Sequence, residues 1–224
     1  MRQASNIVLP RLLQLASPTL PVGAYSYSQG LEAAVEARIV HDAASAQRWI
    51  EDVLEFSVAR MEAPLFVRLY QAWRAGDAAS AARWNALFLA SRESAELRAE
   101  SAQMGHSLVR LLGELRASGG PDAWDEVSFP AAFAYAAERW SIEQDTALVA
   151  YLWAWAENQV MAAVKVVPLG QTDGQKMLLA LGAALPEIAA RAAALDDEGL
   201  ANLAPGLALL SARHETQYSR LFRS

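Results

Sequence analysis

The sequence has no cysteine among its 224 residues and only three histidines. Disulfides, thiolate metal sites and cysteine nucleophiles are therefore excluded, and we expect a cytoplasmic protein. Basic residues are also in the minority, because 19 lysines and arginines stand against 25 acidic residues, for a net charge of -6. Nucleic-acid phosphates are bound by basic faces, so we expect no nucleic-acid partner.

Long apolar runs are missing as well. The most apolar stretch, residues 146–169, is interrupted by Glu157 and Lys165 among other polar residues. It predicts a pair of core helices rather than a membrane span, and we expect no membrane partner. The beginning of the sequence mixes Asn6 and Pro10 into its apolar residues, so no signal peptide is expected.

Alanine and leucine at helical spacing make up much of what is present. Hydrophobic residues account for 54% of the chain, and no run of alternating valine, isoleucine and threonine predicts a strand. The clearest helical stripe consists of Leu97, Ser101, Met104, Leu108, Leu111 and Leu115. We predict an all-α, single-domain helical bundle of about ten helices that spans residues 1–224.

Several residue types mark the predicted helix ends. Pro64 suits the first turn of a helix, and Gly76 followed by Asp77 indicates a helix end and then an N-cap. Ser45 is predicted to cap another helix. Three further pairs have the spacing of a capping box: Ser26 with Gln29, Ser141 with Gln144, and Thr172 with Gln175. Residues 118–122 form the strongest predicted loop between helical halves.

Candidate catalytic and metal sites are weak. His214 and Glu215 suggest a zinc helix, but Tyr218 stands where that motif needs its second histidine. No metal site is therefore predicted within one chain, although a dimer would offer a way to bring two copies of His214 together. Ser26 lies in no nucleophile elbow. The sequence also lacks a G-x-x-x-x-G-K-[ST] phosphate loop, so the chain is not expected to bind a nucleotide itself.

Lys165 is flanked by apolar residues on both sides. A buried ammonium needs a partner, so we predict that it pairs with a carboxylate or with loop carbonyls and holds the turn at residues 166–171. The alternative is a lysine that extends its charged end to the surface. A separate charge cluster predicts a solvated helix face, with a partner interface as the alternative. Its members are Glu93, Glu96, Arg98 and Glu100.

The tail, residues 211–224, is rich in aromatic side chains and arginine. Tyr218, Leu221 and Phe222 form an apolar edge, and Arg220 lies beside it. This composition is typical of interface hot spots. Because a terminus frays unless something holds it, we predict that the tail becomes ordered on binding another chain. Removal of residues 213–224 should then leave a folded helical protein.

Four long segments resemble the UreF family of urease accessory proteins. They are SPTLPVGAYSYSQGLE at 17–32, RESAELRAESAQMGHSLVRLL at 92–112, AVKVVPLGQTDGQKMLL at 163–179 and ARHETQYSRLFRS at 212–224. They are distributed over nearly the whole chain, and none is a generic short motif.

The resemblance implies an all-helical homodimer that acts as a chaperone without catalytic turnover. It would bind UreD, also called UreH, recruit the GTPase UreG and dock on apo-urease. That assembly would support GTP-dependent insertion of two nickel ions, with nickel and GTP handled by the partners and no cofactor held by this chain. Two alternatives remain: a nickel-carrying metallochaperone, and a helical enzyme whose seven tryptophans and six tyrosines line a pocket.

The matching motifs also imply which residues contact partners. Those expected to engage UreD lie in the tail: Arg213, His214, Glu215, Gln217, Tyr218, Arg220, Leu221 and Phe222. Those expected to shape the dimer centre and the face offered to UreG lie in the first and third segments: Tyr25, Ser26, Tyr27, Gln29, Glu32, Lys165, Pro168, Gly170, Gln171 and Gln175.

Overall fold

The computed structural model describes the backbone of residues 2–117 and 119–224, and the side chains of residues 7–117, 119–121 and 123–224. Within these residues all regular secondary structure is helical, which confirms the prediction of an all-α bundle. The α-helices are α1 (Arg2–Ala16), α2 (Leu31–Glu36), α3 (Ala43–Val53), α4 (Ala63–Arg74), α5 (Ala78–Ala90), α6 (Ala95–Glu114), α7 (Phe129–Arg139), α8 (Gln144–Val166), α9 (Gln171–Ala193) and α10 (Pro205–His214). No helix in the described part of the chain combines the length and the apolar character needed to cross a membrane.

Helix α8 runs through the centre of the bundle, and α1, α4, α7 and α9 pack around it. Its Tyr151 ring lies 5.0 Å from the ring of Phe66 in α4 and 5.3 Å from that of Phe133 in α7. Close packing of α6 depends on Gly105, because a Cβ at this position would lie 2.0 Å from the carbonyl oxygen of Val127. The core therefore surrounds α8, and the remaining helices cover it.

Helix α3 continues through a π-helix, Leu54–Glu62, directly into α4. Pro64 lies in the first turn of α4 as predicted, but it does not begin a separate helix. Since proline has no N–H, it cannot bond to the carbonyl of Arg60 four residues earlier. That carbonyl accepts instead from the N–H of Ala201 at 3.3 Å. The segment before α10 is thereby held against the middle of the bundle.

Two predicted caps can be judged from local contacts. Asp77 is the N-cap of α5, as predicted: its carboxylate accepts from the N–H of Ser80 at 2.9 Å. Gly76 before it has a φ of 68°, which favours glycine. The predicted N-cap of α3 is the wrong residue. Asp42 rather than Ser45 is the N-cap, and Ser45 completes the capping box from the third helical position.

The three predicted Ser/Thr–Gln capping boxes are wrong. Ser26 belongs to a short 3-10 turn, and α2 begins only after Gln29 (φ 51°) and Gly30 (φ 79°). This left-handed backbone separates Ser26 from the helix it was expected to cap. Helices α8 and α9 begin after Glu143 and Gly170, and neither residue makes a side-chain capping bond.

The predicted stripe on α6 is buried over its first turns. Leu97 to Leu108 follow the expected spacing, but Leu112 rather than Leu111 continues the fully buried face. Of the loop predicted at the end of this helix, Ser118 lies outside the described residues. The rest contains a 3-10 turn, Pro121–Ala123.

Candidate functional site

The loop, residues 17–30, and the tail lie against each other. The N–H of Arg223 donates to the carbonyl of Ser26 at 2.9 Å, and the N–H of Ser28 donates to the carbonyl of Ser224 at 2.9 Å. The Ser28 hydroxyl donates to the same Ser224 oxygen at 2.5 Å, across 196 residues of sequence. Two of the segments that resemble the family therefore form one structural unit.

Glu32, in the first turn of α2, holds the tail at several points. One carboxylate oxygen accepts from the N–H of Leu221 at 2.7 Å, and the other accepts from the N–H of Phe222 at 2.9 Å. The second oxygen also lies 3.3 Å from Nε2 of His214. Because hydrogen bonds to a charged group are stronger than neutral ones, this single side chain accounts for much of the attachment.

His214 is fully buried between two carboxylates. Its Nδ1 lies 2.6 Å from Glu96, and its Nε2 faces Glu32 on the opposite side. Both ring nitrogens therefore face carboxylate oxygens. Glu96 also accepts from Arg220 at 2.6 Å, and Glu215 accepts from the first backbone N–H groups of α6.

A metal ion at His214 gains no support from this geometry. Within the described residues, no group of three or more histidine, aspartate and glutamate side chains is arranged to hold a metal ion. Both nitrogens of His214 are engaged inside the chain, and the ring is 0% exposed. The buried ring of His214 therefore offers no accessible ligand to a second copy of the chain.

The tail is ordered by its own chain, which corrects the prediction that another protein is needed to order it. Phe222 is only 5% exposed and belongs to the hydrophobic core. On the opposite side Tyr218 is fully exposed and Leu221 is 64% exposed. The tail thus has an inner side that contacts the bundle and an outer side that presents apolar groups to solvent.

Side chains of helix α8 hydrogen-bond to the loop. The indole N–H of Trp155 donates to the side-chain oxygen of Gln29 at 2.7 Å, and the amide of Asn158 donates to the carbonyl of Tyr27 at 3.2 Å. The Tyr27 hydroxyl donates to Gln103 of α6 at 2.9 Å. Burial raises the pKa of the Tyr27 phenol. These three hydrogen bonds attach the loop to both α8 and α6.

Lys165 is exposed, as the alternative of a lysine extended to the surface predicts, and its ammonium contacts a loop carbonyl as predicted. Its Nζ lies 3.5 Å from the carbonyl oxygen of Tyr25, at the long limit of a hydrogen bond. The same nitrogen lies 6.0 Å from the ring centre of Tyr25 and 5.5 Å from that of Phe222. Lys165 therefore joins α8 to the loop and the tail, and it does not hold the turn at residues 166–171.

The other residues of the third segment occupy the connection between α8 and α9 and the start of α9. Pro168, Gly170, Gln171 and Gln175 are all exposed there. Within the described residues, no hydrogen bond joins their side chains to the loop or the tail. The structure thus brings Lys165 to the loop–tail unit and leaves these four residues outside it.

Glu100 is the residue that sequence reasoning placed least well. It is 4% exposed rather than part of a solvated face. Its carboxylate accepts from the Gln29 amide at 2.7 Å and from the Ser224 hydroxyl at 2.6 Å. Burial raises its pKa to about 7, while these two hydrogen bonds act in the opposite direction. The missed signal is its position three residues after Leu97 and four before Met104, on the buried stripe of α6.

A cleft of about 340 Å³ opens beside Tyr25 and reaches into the bundle. Its inner end includes Glu100 and a buried ion pair in which Arg92 lies 3.1 Å from Glu62. The Tyr151 hydroxyl also donates to Glu62, and burial followed by the charge of Glu62 raises the pKa of that phenol. The buried charges of Glu62 and Arg92 are thus compensated within the bundle.

Comparison with known proteins identifies the family. The UreF family model matches residues 40–182. The urease accessory protein UreF of Azoarcus sp. (strain BH72) is 60% identical over 223 residues, covering 96% of this chain and 95% of that protein. The chain belongs to the UreF family. Another UreF protein, that of Dechloromonas aromatica (strain RCB), is 54% identical over 222 residues, which cover 96% of this chain and 97% of the relative.

A fused relative extends the comparison. The bifunctional urease accessory protein UreEF of Bordetella bronchiseptica is 51% identical over 224 residues, covering 96% of this chain and 52% of that longer protein. UreF is by name a family of accessory proteins and not of enzymes. The resemblance seen in the four sequence segments is therefore confirmed at the level of the family.

Proposed function

We propose that this UreF-family protein is a chaperone and adaptor in urease maturation. It binds UreD (UreH), recruits the GTPase UreG and docks on apo-urease, and the assembly supports GTP-dependent insertion of nickel. The protein itself turns over no substrate and holds no cofactor, because nickel and GTP are handled by its partners. Family membership supports the role in urease maturation, and the loop–tail unit supports the docking.

The observation that carries the proposal is the way the tail is held. His214, Phe222 and Ser224 are buried against the bundle, so the tail is fixed before any partner arrives. Tyr218 and Leu221 then present exposed apolar surface in a defined position. A surface that is already ordered loses little conformational entropy on binding, and aromatic anchors contribute much of the energy of interfaces. We assign this surface to UreD.

The face offered to UreG is proposed to combine the outer part of the loop with the start of α9. Tyr25 is 68% exposed, and the ammonium of Lys165 lies over its ring. Gln171 and Gln175 are exposed on the first turns of α9. Polar and aromatic groups on rigid elements suit a specific but reversible contact with another protein.

A second exposed apolar surface supports the proposed homodimer. A groove of about 1140 Å³ is lined by α1, α8 and α9. Leu13 and Leu179, which line it, are 62% and 79% exposed, and Val149 and Trp153 line it as well. Contiguous exposed apolar surface is typical of protein interfaces. We place the second copy of the chain in this groove, rather than at the residues of the first and third segments that the resemblance assigned to the dimer centre.

Co-purification with UreD tests the docking surface. We expect the double variant Tyr218→Ala, Leu221→Ala to bind UreD roughly ten-fold or more weakly, because interface anchors commonly contribute more than 1 kcal/mol each. Its circular dichroism spectrum should be unchanged, since both side chains point away from the bundle.

Leu115→Ala is the matched control for this experiment. Leu115 is a 45% exposed leucine that follows the last residue of α6, whereas the tail contacts the first turn of that helix at Glu96. The control should bind UreD as the unchanged protein does. Undiminished binding of UreD by the double variant would rule out the proposed surface.

A further inference from the structure

The docking role does not explain why a buried carboxyl lies beneath the loop and the tail. One oxygen of Glu100 accepts from Gln29 of the loop at 2.7 Å, and the other accepts from Ser224 of the tail at 2.6 Å. The carbonyl of Ser224 accepts in turn from Ser28 of the loop. A single carboxyl group thus contacts both segments at the point where they meet.

Charged and titratable groups lie near Glu100 on the elements around it, and Arg223 of the tail acts on the phenol of Tyr27. Glu62 of the π-helix and Arg92 act on its charge, and the phenols of Tyr27 in the loop and Tyr151 in α8 lie within electrostatic range. Arg92 is already paired with Glu62 at 3.1 Å. Among the described residues, no cation lies within ion-pair distance of Glu100 itself. When it ionises, this carboxyl is therefore a buried charge without a cation of its own.

We propose that Glu100 makes closure of the tail over the loop depend on pH, with the protonated carboxyl favouring the closed form. A protonated Glu100 has no charge to desolvate, and it keeps both neighbours because the Ser224 hydroxyl can accept as well as donate. Ionisation favours an open form in which water reaches the carboxylate. Closure of the tail is then coupled to uptake of one proton at Glu100.

The direction of the effect follows from the two forms. Burial raises the pKa of Glu100 to about 7 in the closed form, against an ordinary value of 4.5 once water reaches it. Because the closed form binds the proton more tightly, closure is strongest in acid and weakens as the pH rises toward 7. Tail opening should increase about twenty-fold between about pH 5.5 and about pH 7.5, and less than about two-fold above that.

Hydrogen exchange of the tail amides measures this opening in the full chain. The N–H groups of Leu221, Phe222 and Arg223 are hydrogen-bonded in the closed tail. After correction for intrinsic exchange, their protection in the unchanged protein should fall about twenty-fold over that pH range. Glu100→Gln keeps a neutral side chain of the same shape, so its protection should stay nearly constant with pH.

Two comparisons make the result decisive. Glu100→Gln leaves every other side chain of the loop and the tail in place, so a pH response that came from any of them would persist in this variant. Glu157→Gln is the matched control, because burial also raises the pKa of Glu157 and this residue lines the same cleft. The control should keep the response of the unchanged protein. A Glu100→Gln protein that retains the full pH response, or an unchanged protein without one, would overturn the proposal.

Discussion

Glu32→Gln is expected to release the tail while leaving the bundle folded. The carboxylate accepts from the N–H of Leu221 at 2.7 Å and of Phe222 at 2.9 Å, and it faces Nε2 of His214 at 3.3 Å. A glutamine keeps one oxygen and places an amide NH2 where the second oxygen was. At least one of the two backbone N–H donors would then face another donor.

The size of the effect follows from these contacts. Hydrogen bonds to charged groups contribute about 1.5–3 kcal/mol each, so loss of the charge and of at least one bond should weaken tail docking by about 2–4 kcal/mol. This corresponds to roughly 30- to 800-fold more frequent opening of the tail. Global unfolding should change less, because the tail can detach without unfolding the bundle.

Hydrogen exchange at Arg223 and Ser28 is the suitable assay. Their N–H groups donate to the carbonyls of Ser26 and Ser224 and not to Glu32, so faster exchange reports detachment of the tail itself. Glu36→Gln is the matched control, because Glu36 is an exposed glutamate on the same short helix. Unchanged protection at both amides in Glu32→Gln would refute the idea that Glu32 holds the tail.

Two further predictions concern packing and assembly. Gly105→Ala should lower the free energy of unfolding in urea by about 1–3 kcal/mol. The alanine Cβ would meet the carbonyl of Val127, so the backbone would have to shift. Gly113→Ala is the control on the same helix, because its Cβ would meet nothing within 4 Å. It should raise the free energy of unfolding by up to about 1 kcal/mol. Similar free energies of unfolding for the two variants would contradict the packing around Gly105. Leu179→Glu should give a monomer in light scattering, because its charge would enter the groove lined by α1, α8 and α9. Leu87→Glu, at a 40% exposed site on α5, should keep the mass of the unchanged protein, and a dimeric Leu179→Glu protein would rule out this face.

Features that depend on neighbouring residues could be predicted from the sequence. The cap at Asp77 needs only a carboxylate and a free N–H three residues later, and the structure has both. The stripe from Leu97 to Leu108 depends only on the helical period, and it is buried as expected. The all-α class follows from many such local signals added together.

The conformation around Gln29 could not be predicted in this way. The spacing of Ser26 and Gln29 is that of a capping box, but Gln29 has a left-handed φ of 51°. Its side chain contacts Glu100 and Trp155, which lie 71 and 126 residues away in sequence. A rule based on local spacing takes no account of residues this distant, so it wrongly predicted that Gln29 forms a capping box with Ser26.

The loop and the tail were predicted as two separate segments and not as one unit. Composition identified the tail, but the same aromatic and charged residues suit an exposed segment and a buried one equally. The carboxylates that hold it, Glu32 and Glu96, lie 182 and 118 residues before His214. Only the fold brings them together, and this is why His214 and Phe222 are buried.

Activation of apo-urease by purified components tests the central claim most directly. With UreD, UreG, GTP and nickel present, urease activity should appear only when this protein is added. It should be greatly reduced when the Tyr218→Ala, Leu221→Ala variant replaces it. Full activation in the absence of this protein would contradict the claim that it is an accessory protein in urease maturation.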